Sequence, residues 1–215
     1  MLNPPSARTK IRRIAENADY QTGTLHAILD QAYICQIAFV DDKGTHNIPM
    51  AYWREDQHLY IHGSNGSRLI KSLLNGQQVC LNVTLLDGLV LARSAFNHSM
   101  NYRSAMIYGV FEAVSEDAAK RAALAAFMDK IAVGRQAEIR PGNDKEFNAT
   151  TVLRISLAEA ACKVRQGGPN DDEEDMQIAA WTGVLPLQTR RAPAQIATDC
   201  RAAAPDYVKN WSDLA

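Results

Sequence analysis

The chain has 215 residues, 47% of them hydrophobic, with a formal net charge of -1 at pH 7. This length suits one large all-β or α+β domain and is short for two ample ones. Charges of both signs are interspersed, which argues against a nucleic acid or an anionic membrane as the partner, and no apolar run approaches the ~20 residues needed to cross a bilayer.

Residues 1–23 are polar and basic and include Pro4 and Pro5, so they read as an arm without a core of its own. No apolar run backs the arm's charges, unlike a secretory signal. Thr24 caps a predicted helix in which Leu25, Ile28, Leu29 and Ala32 share a face. Tyr33 to Val40 is a β-rich run ending in the turn Asp41-Asp42-Lys43-Gly44, and Thr45 to Trp53 is its return strand. Arg54 to Gln57 turns again, and His58 to His62 forms a third strand. Ser67 to Asn75 reads as a helix: Ser67 caps it, Leu69, Ile70, Leu73 and Leu74 make its apolar face, and Gly76 fits a left-handed stop.

Gln77 to Leu86 and Leu89 to Phe96 flank Asp87-Gly88, a dipeptide that predicts a hairpin turn between two apolar runs. Tyr102 to Val114 gives another strand, and a helix with acids in its first turn runs from Ser115 to Gly134. Thr150 to Leu157 and Ala161 to Arg165 are further strands. Asn170 to Asp175 reads as a solvated acidic loop, and Met176 to Leu187 as a short apolar return. The division is an arm over 1–23, a domain over 24–187 and a surface tail over 188–215. Six or seven short strands, mostly joined as hairpins, with two helices between them predict a mainly β (α+β) fold, an antiparallel barrel with helices packed outside.

Gly63-Ser64-Asn65-Gly66-Ser67-Arg68 opens directly into the second helix. Amides at a helix start lack intrahelical partners, and with the helix dipole and the Arg68 guanidinium they make a seat for a phosphate. Taken alone, the segment is as well explained by a turn, a cap and a solvated Arg. Tyr52, Tyr60 and His62 are expected to present flat faces or polar edges beside the seat. A second donor-rich segment runs from Arg93 through Asn101, Tyr102 and Arg103 to Ser104. Two such segments suit a phosphate plus a polyol chain, each oxygen needing its own partner.

His58 and His62 share a strand face, but no helical His-x-x-x-His or cysteine pair accompanies them, so no metal site is expected. Gly-x-Gly-x-x-Gly, Gly-x-x-x-x-Gly-Lys and Gly-x-Ser-x-Gly are all absent. Cys35, Cys80, Cys162 and Cys200 are widely spaced, as reduced thiols of a cytoplasmic protein would be.

Several segments in order resemble the flavin-nucleotide-binding branch of the pyridoxamine 5'-phosphate oxidase-like family, over about residues 20 to 187. They are Pro49-Met50-Ala51-Tyr52, Tyr60-Ile61-His62-Gly63-Ser64, Gly66-Ser67-Arg68, Leu86-Asp87-Gly88-Leu89-Val90, Met100-Asn101-Tyr102-Arg103-Ser104 and Trp181-Thr182-Gly183-Val184-Leu185-Pro186. The resemblance implies a six- to seven-stranded antiparallel split β-barrel with flanking helices, working as a homodimer with FMN at the subunit interface. It implies that the strand carrying Pro49, Met50, Ala51 and Tyr52 runs along the flavin ring. His62, Gly63 and the loop through Ser64 to Ser67 would hold the ribityl phosphate, with Arg68 as its charge partner. Asn101, Tyr102, Arg103 and Ser104 would close the site from the other subunit, and Trp181 would flank the ring.

The implied activity is a flavin-dependent oxidoreductase acting on a small molecule, with a non-catalytic flavin-binding or sensing module as the rival. No side chain is required as acid or base; His62 and Tyr102 are candidates for proton delivery. Two departures separate the chain from the vitamin B6 oxidases proper. Leu69 stands where they have Lys after Gly-Ser-Arg, with Lys71 as a substitute, and Trp181 is followed by Thr-Gly-Val-Leu-Pro-Leu without their Arg. A haem-degrading subgroup of the same barrel ligates iron through a C-terminal His; no His follows His98 here. A subgroup conferring nitroimidazole resistance by reduction stays open.

Overall fold

The computed structural model describes residues 3–213; Met1 and Leu2 of the arm and Leu214 and Ala215 of the tail lie outside it. Two antiparallel sheets form the barrel. The larger takes the order β1 (Ala18–Asp19), β10 (Ala160–Arg165), β7 (Ser99–Gly109), β6 (Val79–Leu91), β2 (Ile34–Asp41), β3 (Gly44–Ala51), and β11 (Gly183–Pro186) pairs separately with β6. The smaller is β4 (Trp53–Glu55), β5 (His58–Ser64), β9 (Thr150–Ser156), β8 (Glu112–Ala113).

Alternation decides which side chains enter the barrel. Cys35, Ile37 and Phe39 of β2 point inward with Leu59 and Ile61 of β5, Leu81 and Val83 of β6, and Ala105 and Ile107 of β7. Each fully buried Leu or Ile contributes roughly 1.5–3 kcal/mol. Helix α1 (Thr22–Gln31) adds Leu25, Ile28 and Leu29 to this core, and α2 (Arg68–Leu74) adds Leu69, Ile70 and Leu73. Helix α3 (Asp117–Ile131) instead covers the outer face of the smaller sheet, where Trp53, Val152, Ala123 and Phe127 form a second cluster. Glu116 starts α3 by accepting from the amides of Ala118 and Ala119 at 2.9 and 2.6 Å. Among the described residues no helix is long and apolar enough to cross a membrane.

Two expectations need correction. Asp87-Gly88 is not a hairpin turn: β6 runs straight through it, with a register shift between Leu86 and Gly88. Asp87 is taken up by Arg103, and Gly88 lets β11 approach, since a Cβ there would stand 3.0 Å from the Leu185 carbonyl oxygen. The acidic loop is solvated except at one residue: Asp172, Glu173 and Glu174 are exposed, but Asp171 accepts the Arg93 amide at 2.7 Å and its guanidinium at 2.6 Å, with only 3% of its side chain exposed. The arm lies against the barrel. Its β1 pairs with β10, Thr9 is buried, and Arg8 bridges to Glu159. Helix α4 (Asp144–Asn148), opened by an Asn143/Glu146 capping box, was not foreseen. Nor was α5 (Asp206–Lys209) in the tail.

Candidate functional site

Hairpin β2–β3 ends in a tight turn whose Lys43 amide donates to Asp41 at 2.8 Å. The antiparallel register then brings His46 back beside Asp41, Nε2 to Oδ1 at 2.6 Å. Arg68, at the start of α2, reaches over from the facing element: Nη1 lies 3.5 Å from Asp41 Oδ2 and Nη2 3.5 Å from His46 Nδ1. Burial works against ionisation of Asp41, but the His46 contact, the Lys43 amide and the Arg68 charge outweigh it and hold the carboxyl below the usual carboxylate range.

Between the hairpin tip and α2 lies a cavity of about 610 Å³, with Lys43, Arg68 and Lys71 on its wall beside Asp41, Gly66 and Ser72. Position 69 is turned into the core, where Leu69 is buried, whereas Lys71 faces the cavity. The loop amides are partly used already. Ser67 donates to the Ser64 carbonyl at 2.9 Å and Gly66 to Ser64 Oγ at 3.2 Å, while Ser67 makes no side-chain cap. The capacity to hold an anion here therefore rests on the cationic side chains more than on the amides.

The other residues picked out from the sequence fall into separate places. Strand β3 is an edge of its sheet, so Pro49, Met50 and Ala51 leave one side of the backbone unpaired and open to a ligand. Tyr52 is not beside the cavity. It is 1% exposed in the barrel core, its hydroxyl donating to the Leu29 carbonyl at 2.7 Å, and burial pushes its phenol up. Gly63 sits at a close approach, since a Cβ would meet Ile70 at 2.8 Å.

Tyr60 and His62 point to the opposite face of β5, under α3. Tyr60 stacks on Trp53 at 5.7 Å, and His62 packs against Phe127 at 4.5 Å. Desolvation lowers the His62 pKa, and its Nδ1 is buried without a partner. The structure does not bring these two rings to Arg68.

Asn101 to Ser104 lie on β7. Asn101 donates to the Gly167 carbonyl at 3.0 Å, and Arg103 forks onto Asp87 at 2.9 and 2.7 Å. Trp181 is 65% exposed and lies over Gly183. Register places the two groups far apart within one copy. Ala38 stands opposite Cys80, which puts Asp41 level with Gln77, whereas Tyr102 stands opposite Leu86. Nine residues of strand separate those levels, roughly 30 Å at ~3.3 Å per residue.

Sequence reasoning missed Asp41, His46 and Asp87 as partners. Asp41 and His46 were recoverable, because a hairpin turning at Asp42-Lys43 must juxtapose them; the Asp87–Arg103 pair needed the β6–β7 register.

A family model described as pyridoxamine 5'-phosphate oxidase matches residues 21–164. No curated protein matches the chain. Among solved structures, the flavocytochrome Anf3 from Azotobacter vinelandii is 38% identical, with a TM-score of 0.93 over 97% of this chain and 98% of its own. A FAD and heme binding protein from Mycobacterium smegmatis is 34% identical, with a TM-score of 0.86 over 91% of this chain and 97% of its own. With the barrel, the edge strand and the Arg68 cavity in place, these matches show that the chain belongs to the pyridoxamine 5'-phosphate oxidase family.

Proposed function

We propose that the chain is a flavin-dependent oxidoreductase working on a small molecule in the cytoplasm as a homodimer. The observation that carries this reading is near end-to-end similarity to two redox-cofactor proteins, each matched over more than nine-tenths of both chains. The donor set fits a flavin nucleotide. Arg68 and Lys71 take the phosphate at the cavity wall, and the free edge of β3 offers backbone groups to the polar rim of the ring. When bound, the flavin supplies hydride or single-electron chemistry, and the protein supplies position and charge.

Asn101 to Ser104 and Trp181 cannot reach this seat from their own copy, so in this reading a second copy brings them over the ring. The outer face of the larger sheet suits that contact: Ile34, Val40, Leu86, Met100 and Leu185 are exposed there, an apolar surface of the kind that pairs. Reduced cysteines agree with a cytoplasmic location. All four thiols are free, and burial pushes those of Cys35 and Cys162 up to about 12.

FMN is the flavin expected from the phosphate seat. The FAD of the 34% identical relative favours the longer dinucleotide, whose adenylate would extend beyond Arg68 into the remainder of the 610 Å³ cavity. Both relatives also favour a haem as a second redox group. The test is the absorbance spectrum of the purified protein, mass analysis of the released flavin, and anaerobic titration with NADH and NADPH. Yellow protein that bleaches supports the enzyme. Protein that takes up neither FMN nor FAD overturns the proposal.

A further inference from the structure

A second cavity, of about 530 Å³, opens where the end of α3 meets Tyr33 and the tail. Two cations stand on its wall, Lys130 from α3 and Arg191 from the tail, and both converge on Tyr33. Lys130 Nζ lies 5.0 Å from the centre of the Tyr33 ring, and Arg191 Nη2 donates to the Tyr33 hydroxyl at 3.4 Å. Neither cation makes an ion pair among the described residues. The acid beside Lys130, Asp30, has its carboxylate forked by Arg54 at 2.8 and 2.7 Å, which leaves Lys130 only the Asp30 backbone carbonyl. Asp129, the one acid on the wall, accepts from the Gln136 side-chain amide at 3.3 Å. Desolvation lowers the Lys130 pKa; Asp30 opposes the fall, and the Arg54 and Arg191 charges reinforce it. Like charges gathered in a partly dry site favour an anion between them.

The rest of the wall is apolar and aromatic, with Ile131, Val133, Pro193 and Val208 beside Tyr207 and Trp211. Its rings are held in place. Tyr207 donates to Glu138 at 2.9 Å and accepts from Arg135 at 3.2 Å, and the Arg191 guanidinium stacks 4.4 Å from the centre of the Trp211 ring. A cavity of this size, lined by apolar groups with a few aimed charges, has the form of a small-molecule site. Three rings on one wall favour an aromatic occupant, since ring pairs gain more than their buried area alone supplies. We propose that this cavity binds a small aromatic carboxylate, its charge held by Lys130 and Arg191 and its ring against the apolar wall. The site stands apart from the flavin seat. Tyr33 precedes β2 and Asp41 ends it, a span of eight residues, roughly 26 Å of strand.

The experiment titrates cinnamate into the purified protein by calorimetry, with uncharged cinnamyl alcohol as the comparison. Wild type is expected to bind the acid at least about tenfold more tightly than the alcohol. K130Q and R191Q, on separate elements, should each weaken cinnamate binding about 10- to 100-fold. Affinity for the alcohol, melting temperature and flavin content should hold in both, which separates loss of the charge from loss of the fold. R140A removes a cation that pairs with Glu146 away from the cavity, and it should bind cinnamate as wild type does. Equal affinity for acid and alcohol, wild-type affinity in both K130Q and R191Q, or an equal loss in R140A overturns the proposal. So does folded wild-type protein that takes up no cinnamate at millimolar concentration. Each of these outcomes leaves the flavin reading as it stands.

Discussion

Arg68 is a half-exposed side chain whose nearest carboxylate, Asp41, stands 3.5 Å away. Such a pair is worth about 0–1 kcal/mol, so its loss should leave the fold almost untouched. A charge-assisted contact to a phosphate is worth about 1.5–3 kcal/mol, so Arg68→Ala should weaken flavin binding about 10- to 100-fold. Flavin fluorescence quenching and a denaturant midpoint, measured on the same preparation, check both halves. A second prediction concerns His62. Burial lowers its pKa below the ordinary value of 6.5, so the folded chain holds it neutral while the unfolded chain protonates it. Stability is therefore full above pH 6.5 and is lost as pH falls from there towards the lower folded pKa. His62→Phe keeps a ring against Phe127 and should flatten the urea-unfolding profile of the flavin-free protein in that window. The roles of Arg68 and of Tyr52 were unequally legible. A Gly/Ser loop before an Arg is a local signal, whereas the sequestration of Tyr52 depends on α1 closing the barrel and offering the Leu29 carbonyl.

Elements were legible where the signal was local. The apolar period of α2, the acidic start of α3 and the β2–β3 hairpin all follow from neighbouring residues. Asp87-Gly88 shows where this fails. The same dipeptide that turns a hairpin also serves a strand that must pass an Arg on one side and another backbone on the other, and only the third strand decides between them. Gly88→Val should therefore push β11 off β6, with the valine side chain against the Leu185 carbonyl and Val184. The expected cost is about 1–3 kcal/mol. Trp181, two residues ahead of β11, should report the detachment by a change in fluorescence. An unchanged emission spectrum and melting temperature would contradict this account of the glycine.

At the scale of the whole molecule, the architecture and family were readable because many short segments appear in one order. How the copies come together was not, because a surface that serves another chain looks locally like any exposed strand. Leu86 lies on that surface opposite Tyr102. Leu86→Asp should yield a monomer by light scattering and a colourless preparation, since the two losses have one cause. A dimer that keeps its flavin would count against the proposed contact face. The wide separation of Arg68 from Tyr102 along the strands has a genetic consequence. If each chromophore draws on both chains, Arg68→Ala and Tyr102→Ala chains, each defective by itself, should complement. Subunit exchange between them would build mixed pairs in which one pocket carries both lesions and the other carries neither, so half the wild-type colour would return per mixed pair.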